Sequence, residues 1–187
     1  MRGIAFLVAA MLAAALPLAA HADDIEVRDV ALRRTDRGMV LDADFEFELT
    51  PRLADVVANG VPLYFRVDFE LTRSRWYWFD ETAAERRLHL RLSYHALSRQ
   101  YRLSTGALQQ SFPSLEEALD VLKRVRNWLV VEREVRLADA DYEAGVRMRL
   151  DTALLPKPFQ LSALTGRDLQ LESPWKRFIV RSPGRRG

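Results

Sequence analysis

From Leu41 to Leu49, apolar and acidic residues alternate without a break: Leu41, Ala43, Phe45, Phe47 and Leu49 against Asp42, Asp44, Glu46 and Glu48. A period of two belongs to a strand with one dry and one wet face, so this stretch predicts a half-buried strand with an acidic outer surface. It forms the second arm of a hairpin that begins at Ile25 and turns at Thr35-Asp36-Arg37-Gly38, where glycine supplies the positive φ of a tight turn. Thr50-Pro51 opens a short helix, with Thr as cap and Pro at the first helical position, and Gly60 ends it. Alternation returns with Val61, Leu63, Phe65, Val67, Phe69 and Leu71 opposite Tyr64, Arg66, Asp68 and Glu70, which predicts a central strand.

Asp80 to Glu85 reads as a loop. Leu88, Leu90, Leu92 and Tyr94 then mark a returning strand, with Arg87, His89, Arg91 and Ser93 on its other face, and Arg99 to Ser104 is a shorter strand. Ser114-Leu115-Glu116-Glu117 is a capping box, and Leu115, Leu119, Leu122, Val125 and Leu129 continue it at helical spacing, predicting a long helix to about Trp128. Two strands follow, Val130 to Leu137 and Tyr142 to Asp151. After the break at Pro156-Lys157-Pro158, Phe159 to Leu161 and Leu169 to Leu171 read as short final strands. About eight strands in hairpin order, with one long and one short helix, make a mainly β, antiparallel domain. A two-sheet sandwich is the first expectation, and a strongly curved sheet wrapped around the long helix the second.

The chain opens differently. Arg2 precedes an unbroken apolar stretch from Ile4 to Leu16, and Ala20-His21-Ala22 places small residues where a signal peptidase reads, so residues 1–22 predict a signal peptide cleaved before Asp23. The rival reading is a retained anchor; the apolar run to Ala20 is about 17 residues, the lower limit for spanning a bilayer. With cleavage, no transmembrane segment is left, and the expectation is an exported, periplasmic protein with a single domain over 23–181 and a disordered tail over 182–187. There is no cysteine, which excludes disulfide staples and thiol chemistry. Lys and Arg total 28 against 26 Asp and Glu, and losing Arg2 with the leader leaves 27 against 26. So even a balance offers no field for nucleic acid. Of the basic residues 25 are arginine, the better fork for carboxylate or phosphate oxygens.

Catalytic and metal-binding patterns are missing. No two glycines of the folded part are close enough to form a phosphate-cradling loop or a nucleophile elbow. His89 and His95, six residues apart on an extended strand, would stand about 20 Å from each other, too far to share a metal. The acidic row from Asp42 to Glu48 lies along a line rather than around a loop, which suits cross-strand pairing with arginines such as Arg66 better than calcium. The expectation is a non-enzyme with no catalytic residue, no cofactor and no metal.

One stretch does suggest binding. In Arg73-Ser74-Arg75-Trp76-Tyr77-Trp78-Phe79-Asp80-Glu81 four rings lie between arginines and acids. If the strand from Val61 ran on in phase, Trp76 and Trp78 would be exposed on the side of Tyr64; a bulge near Arg73-Ser74-Arg75 would turn both into the core. Both readings stand. In the first, Arg73, Arg75, Trp76, Trp78, Arg87 and Arg91 form a candidate surface for sugar stacking or a protein contact. Trp128 and Trp175 read as packing residues at a helix end and near the terminus.

Through Leu63–Glu81, Leu92–Gly106, Ser114–Leu119, and the Leu155-Pro156-Lys157-Pro158-Phe159-Gln160-Leu161 and Ser173-Pro174-Trp175 segments, the chain resembles a family of proteobacterial exported proteins known as a domain of unknown function. That resemblance covers nearly everything after residue 24 and brings no catalytic or binding residues with it. Such proteins are often encoded near a membrane sensor kinase, so the resemblance implies an envelope or inner-membrane protein, a sensor kinase among the candidates, as partner. The functional expectation is a non-catalytic protein-binding or accessory module of the cell envelope. Its rival is a module enclosing a lipid or glycan fragment in an apolar cavity of several hundred Å³.

Overall fold

The structure, a computed structural model, describes residues 25–73, 81–135, 137–165 and 167–181. The leader, the 182–187 tail, and Arg75, Trp76 and Trp78 of the candidate surface lie outside the described residues.

The expected hairpin is present as β1 (Glu26–Thr35) and β2 (Gly38–Glu46), with Thr35 paired to Gly38 across a two-residue turn. Gly38 adopts φ 135°, and a Cβ there would lie 2.1 Å from the carbonyl oxygen of Val131, so the neighbouring strand as well as the turn requires glycine. Thr50 caps α1 (Pro51–Ala58) by accepting from the Leu53 amide at 3.2 Å, and its hydroxyl donates to the Asp168 carbonyl at 2.6 Å. Gly60, at φ 86°, follows the helix as expected.

The next strands are β3 (Leu63–Arg73), β4 (Glu81–His95), β5 (Gln100–Thr105) and β6 (Leu108–Phe112), a meander of antiparallel neighbours. β4 therefore starts inside the stretch expected to be a loop, and β6 was not anticipated. Among the described residues the register of the β3–β4 ladder shifts at Leu71/Thr72; Ser74 and Arg75 of the bulge considered near Arg73 lie outside them.

The long helix is the main correction. Ser114 caps α2 (Leu115–Leu122) as the capping box predicts, but the helix stops after eight residues and β7 (Arg124–Glu132) begins at once. Val125, Val130 and Val131 favour a strand by their branching, and β7 pairs with β2, so sheet pairing overrides the helical spacing. The strand predicted from Val130 to Leu137 accordingly starts and ends earlier. β8 (Tyr142–Leu150) is as expected. α3 (Lys157–Thr165) replaces the short strand at Phe159, with Pro158 in the first turn where its missing N–H costs nothing, and in place of the other a 3-10 turn at Arg167–Leu169 takes Leu169 while residues 170–171 form no strand. β9 (Lys176–Val180) closes the fold.

The strands form two antiparallel sheets, of order β1-β2-β7 and β6-β5-β4-β3-β8-β9. Mainly β architecture in two sheets is the outcome, with nine strands and three short helices among the described residues. One core cluster draws on both sheets: Leu63, Phe65, Val67, Phe69 and Leu71 of β3 are fully buried. Phe65 lies 5.6 Å from Phe47 just after β2, and Phe69 meets Trp128 of β7 edge-on at 6.5 Å, both between ring centroids.

The acids of β2 are paired, though not with Arg66. Asp44 meets Arg126 and Glu46 meets Arg28, each at 2.5 Å. Asp42 accepts the Asn127 amide at 2.7 Å and Arg33 Nε at 2.8 Å, at a point where Asn127 takes φ 51° and the β2–β7 register shifts. The Asn127 amide, with Arg33 adding to it and burial opposing, holds the Asp42 carboxyl below its ordinary value. A depressed carboxyl contributes stability above its unfolded value, and that contribution disappears as pH falls through the folded one. Asp42→Ala should cost about 1.5–3 kcal/mol in urea unfolding at pH 7, the range for a hydrogen bond to a charged group. The gap between wild type and variant should narrow as the pH is lowered below about 4.

Candidate functional site

The core side of the large sheet takes its odd β3 residues, so the even ones point outward with alternate residues of the neighbouring strands. In register, Asp68 lies between Arg87 of β4 and Arg147 of β8, while Arg66 lies between His89 and Arg149. Four guanidinium groups reach the one Asp68 carboxylate: Arg66 Nε at 3.0 Å, Arg147 Nε at 3.1 Å, Arg149 Nε at 3.4 Å and Arg87 Nε at 3.9 Å. The long arginine stems cover it, leaving the side chain 8% exposed on a face that otherwise meets solvent. Arg147 donates a hydrogen bond to Oδ2. Arg66 Nε and Asp68 Oδ1 are buried and ion-paired, but off the line of a hydrogen bond.

A second ring of carboxylates neutralises these arginines. Arg147 also reaches Glu172 at 3.1 Å, Arg87 reaches Glu85 at 2.5 Å, and Arg66 has Asp151 at 3.9 Å. Arg147 lies 4.5 Å over the Trp175 ring, and Arg177 lies 5.6 Å from it while pairing with Glu70 and Glu143. Gly145 makes room for this stack, since a Cβ there would fall 3.1 Å from the Trp175 ring.

Pairing stops toward β5. Arg91 is exposed, lies 6.0 Å over the Tyr64 ring and has no carboxylate within ion-pair distance among the described residues. Arg102 of β5, which pairs in register with Ser93, has none either, and its Nε is buried without a partner. Exposed His89 lies on the same face. The outer surface is therefore polarised: neutralised around Asp68, and carrying uncompensated positive charge on β4 and β5.

The candidate residues are thus divided. Arg87 and Arg91 share a face, as alternation predicts, but Arg87 is bound to Asp68 and Glu85. Arg73 shares the inward parity of Leu71 and pairs with Glu81 at 2.5 Å at the hairpin's end, apart from the other two. Tyr64 stands nine residues from Arg73, roughly 30 Å along the strand. Asp68, Arg102, Arg147 and Arg149 were not singled out from sequence. Alternation placed Asp68 on the polar face of its strand, but not the register that brings the arginines of β8 to it.

Other chemistry is sparse. His95 Nδ1 is 3.0 Å from Ser98 Oγ and accepts the Ser98 amide at 3.3 Å, the geometry of a turn cap. Among the described residues no three His, Cys, Asp or Glu side chains converge as metal ligands, and no helix is long and apolar enough to cross a membrane. An apolar cleft of about 370 Å³ opens between the sheets, with Leu90, Leu103, Leu122, Val125 and Trp128 lining it and Leu108 at its mouth. A second cleft, of about 570 Å³, lies near Ile25, Phe47 and Trp175, with Arg28 and Glu46 in its wall.

Residues 22–179 match the family described as a domain of unknown function (DUF4390). The chain belongs to that family. The match spans every described strand except the last residue of β9, so in this DUF4390 domain both sheets and the arginine face fall within the family's extent. No curated protein and no solved structure matches the chain.

Removing the carboxylate that four guanidinium groups share would leave them facing one another in a covered patch. Asp68→Ala should therefore lower stability by about 3–5 kcal/mol in urea unfolding. Arg87→Ala, whose side chain is 56% exposed, should cost less than about 1 kcal/mol.

Proposed function

We propose that this chain is a non-catalytic binding module of the periplasm that docks, through the β4–β5 side of its large sheet, onto an acidic surface of an envelope protein. The observation that carries this reading is the pair Arg91 and Arg102. On a face where Arg66, Arg87, Arg147, Arg149 and Arg177 all have carboxylates, these two have none among the described residues, so the protein leaves charge there for something else to meet. Tyr64 supplies an aromatic face beside Arg91, and Tyr and Arg are the side chains that anchor protein contacts. Export is supported by the apolar leader. The company such proteins keep with membrane sensor kinases makes the external region of a kinase the first partner to test.

A second reading has one observation in its favour: the apolar cleft of about 370 Å³ falls within the size range of small-ligand sites. In it, the cleft holds an acyl chain or other lipid fragment. Native mass spectrometry separates the two, since this reading requires a bound small molecule and the first requires none.

Titrating the folded chain against the external domain of a membrane sensor kinase from the same organism should give an affinity that falls with salt. The Arg91→Glu/Arg102→Glu double variant should weaken binding by about tenfold or more. Arg28→Glu, in the other sheet, should leave it unchanged. Equal affinity for wild type and the double variant would overturn the proposal.

A further inference from the structure

The two sheets have four edge strands, and three of them carry the features by which proteins discourage further pairing. β1 has Arg28, Asp29, Arg33 and Arg34 and a register shift after Val27. β7 has Arg124 and Arg126 and the left-handed Asn127, and β9 has Lys176 and Arg177. β6 has none of these. Its sequence, Leu108-Gln109-Gln110-Ser111-Phe112, contains no charge and no proline, and its ladder with β5 runs without a shift from Tyr101↔Phe112 to Thr105↔Leu108. All of its residues but Phe112 are exposed, and among the described residues nothing pairs with its outer side.

What lies on either side of that edge narrows what could add to it. On the core side are Leu108, Gln110 and Phe112, by their pairing with Thr105, Leu103 and Tyr101. Leu108 is 76% exposed at the mouth of the apolar cleft, and Val121 of α2, also exposed, lines the same cleft. On the outer side Ser111 stands opposite Arg102, the arginine without a carboxylate. A strand added to β6 would lie two strand spacings from β5, roughly 10 Å, and only the small Ser111 side chain would separate it from Arg102. Arg124, at the cleft's rim, is exposed and also has no carboxylate within ion-pair distance among the described residues.

We propose that β6 is a docking edge to which an extended segment of a partner protein adds as a seventh strand of the large sheet. The segment alternates apolar side chains, which enter the cleft mouth beside Leu108, with acidic ones, which face Arg102. Main-chain hydrogen bonds supply the pairing, and the two faces supply the selectivity. A second copy of this chain fits less well: β6 against β6 would set the two Arg102 residues three strand spacings apart with no acid between them. The proposal rests on the reading of the chain as a protein-binding module and gives that module a specific edge.

The test uses the folded chain and two blocked seven-residue peptides, one alternating Glu and Val and one alternating Lys and Val, followed by amide NMR. The Glu–Val peptide should bind saturably, perturb the β6 amides and slow their hydrogen exchange, while the Lys–Val peptide should not bind. Leu108→Glu and Ser111→Lys, both at exposed positions where folding is not at stake, should each weaken binding by about tenfold or more. Three results would overturn the edge: no binding at millimolar peptide, perturbation confined to other strands, or self-association of the chain that Leu108→Glu abolishes. The two proposals fail differently. If reversing Arg91 and Arg102 weakens kinase-domain binding while Leu108→Glu and Ser111→Lys leave it intact, the acidic-partner reading stands and the edge falls; if the peptide binds at β6 while the kinase domain does not bind, the edge stands and that partner falls.

Discussion

A single carboxylate makes the outer face of the large sheet possible. Arg66 and Arg149 are direct cross-strand partners, and Arg147 lies beside Arg149 on the same strand face. Like charges opposed in this way push neighbouring strands apart. Asp68 lies in the middle of them, on the central strand, and its two oxygens take guanidinium groups from β3, β4 and β8. The apolar residues of β3 hold the same strands together on the other side, so one strand organises the sheet through both faces. With Asp68 in place, the arginines become cover for a buried acid rather than a repelling cluster.

The small sheet uses its charges differently. Its row of acids is matched strand by strand, Asp42 to Arg33, Asp44 to Arg126 and Glu46 to Arg28, and Asp42 also holds the Asn127 amide at the bulge. These charges are engaged in holding three strands in register. On the large sheet, Arg91, Arg102, the bare edge of β6 and the cleft mouth are neighbours at one end. The proposed docking reading rests on that adjacency, since exposure scattered singly over a surface means nothing by itself.

Features set by near neighbours were legible in the sequence. The Thr35–Gly38 turn, the Thr50 cap with Pro51, the Ser114 capping box and the inward face of β3 each depend on residues a few positions apart. Features set by distant pairing were not. Val125 and Leu129 fit a helical repeat as well as a strand, and pairing with β2, far back in the chain, decided between them. Pro158 looked like a break because only the helix itself shows that it occupies a first turn. For the candidate site the same division holds: alternation placed Arg87 and Arg91 on one face, whereas Arg73, expected on the same surface, has the inward parity of Leu71 and pairs with Glu81. Yet Asp68 could not be recognised as a hub without knowing that β8 would lie beside β3.

That dependence on late partners also governs how the chain must acquire its shape. The outer strands of both early units wait for the far end: β2 is half-paired until β7 exists, and β3 until β8 does. A chain emerging from its N-terminus first exposes two incomplete sheets with their apolar faces uncovered through most of its synthesis. Contacts of such long sequence separation make folding slow and leave sticky intermediates. With no cysteine to trap a half-formed sheet, no step of assembly is locked covalently, and the final third of the polypeptide acts as the fastener that completes both sheets.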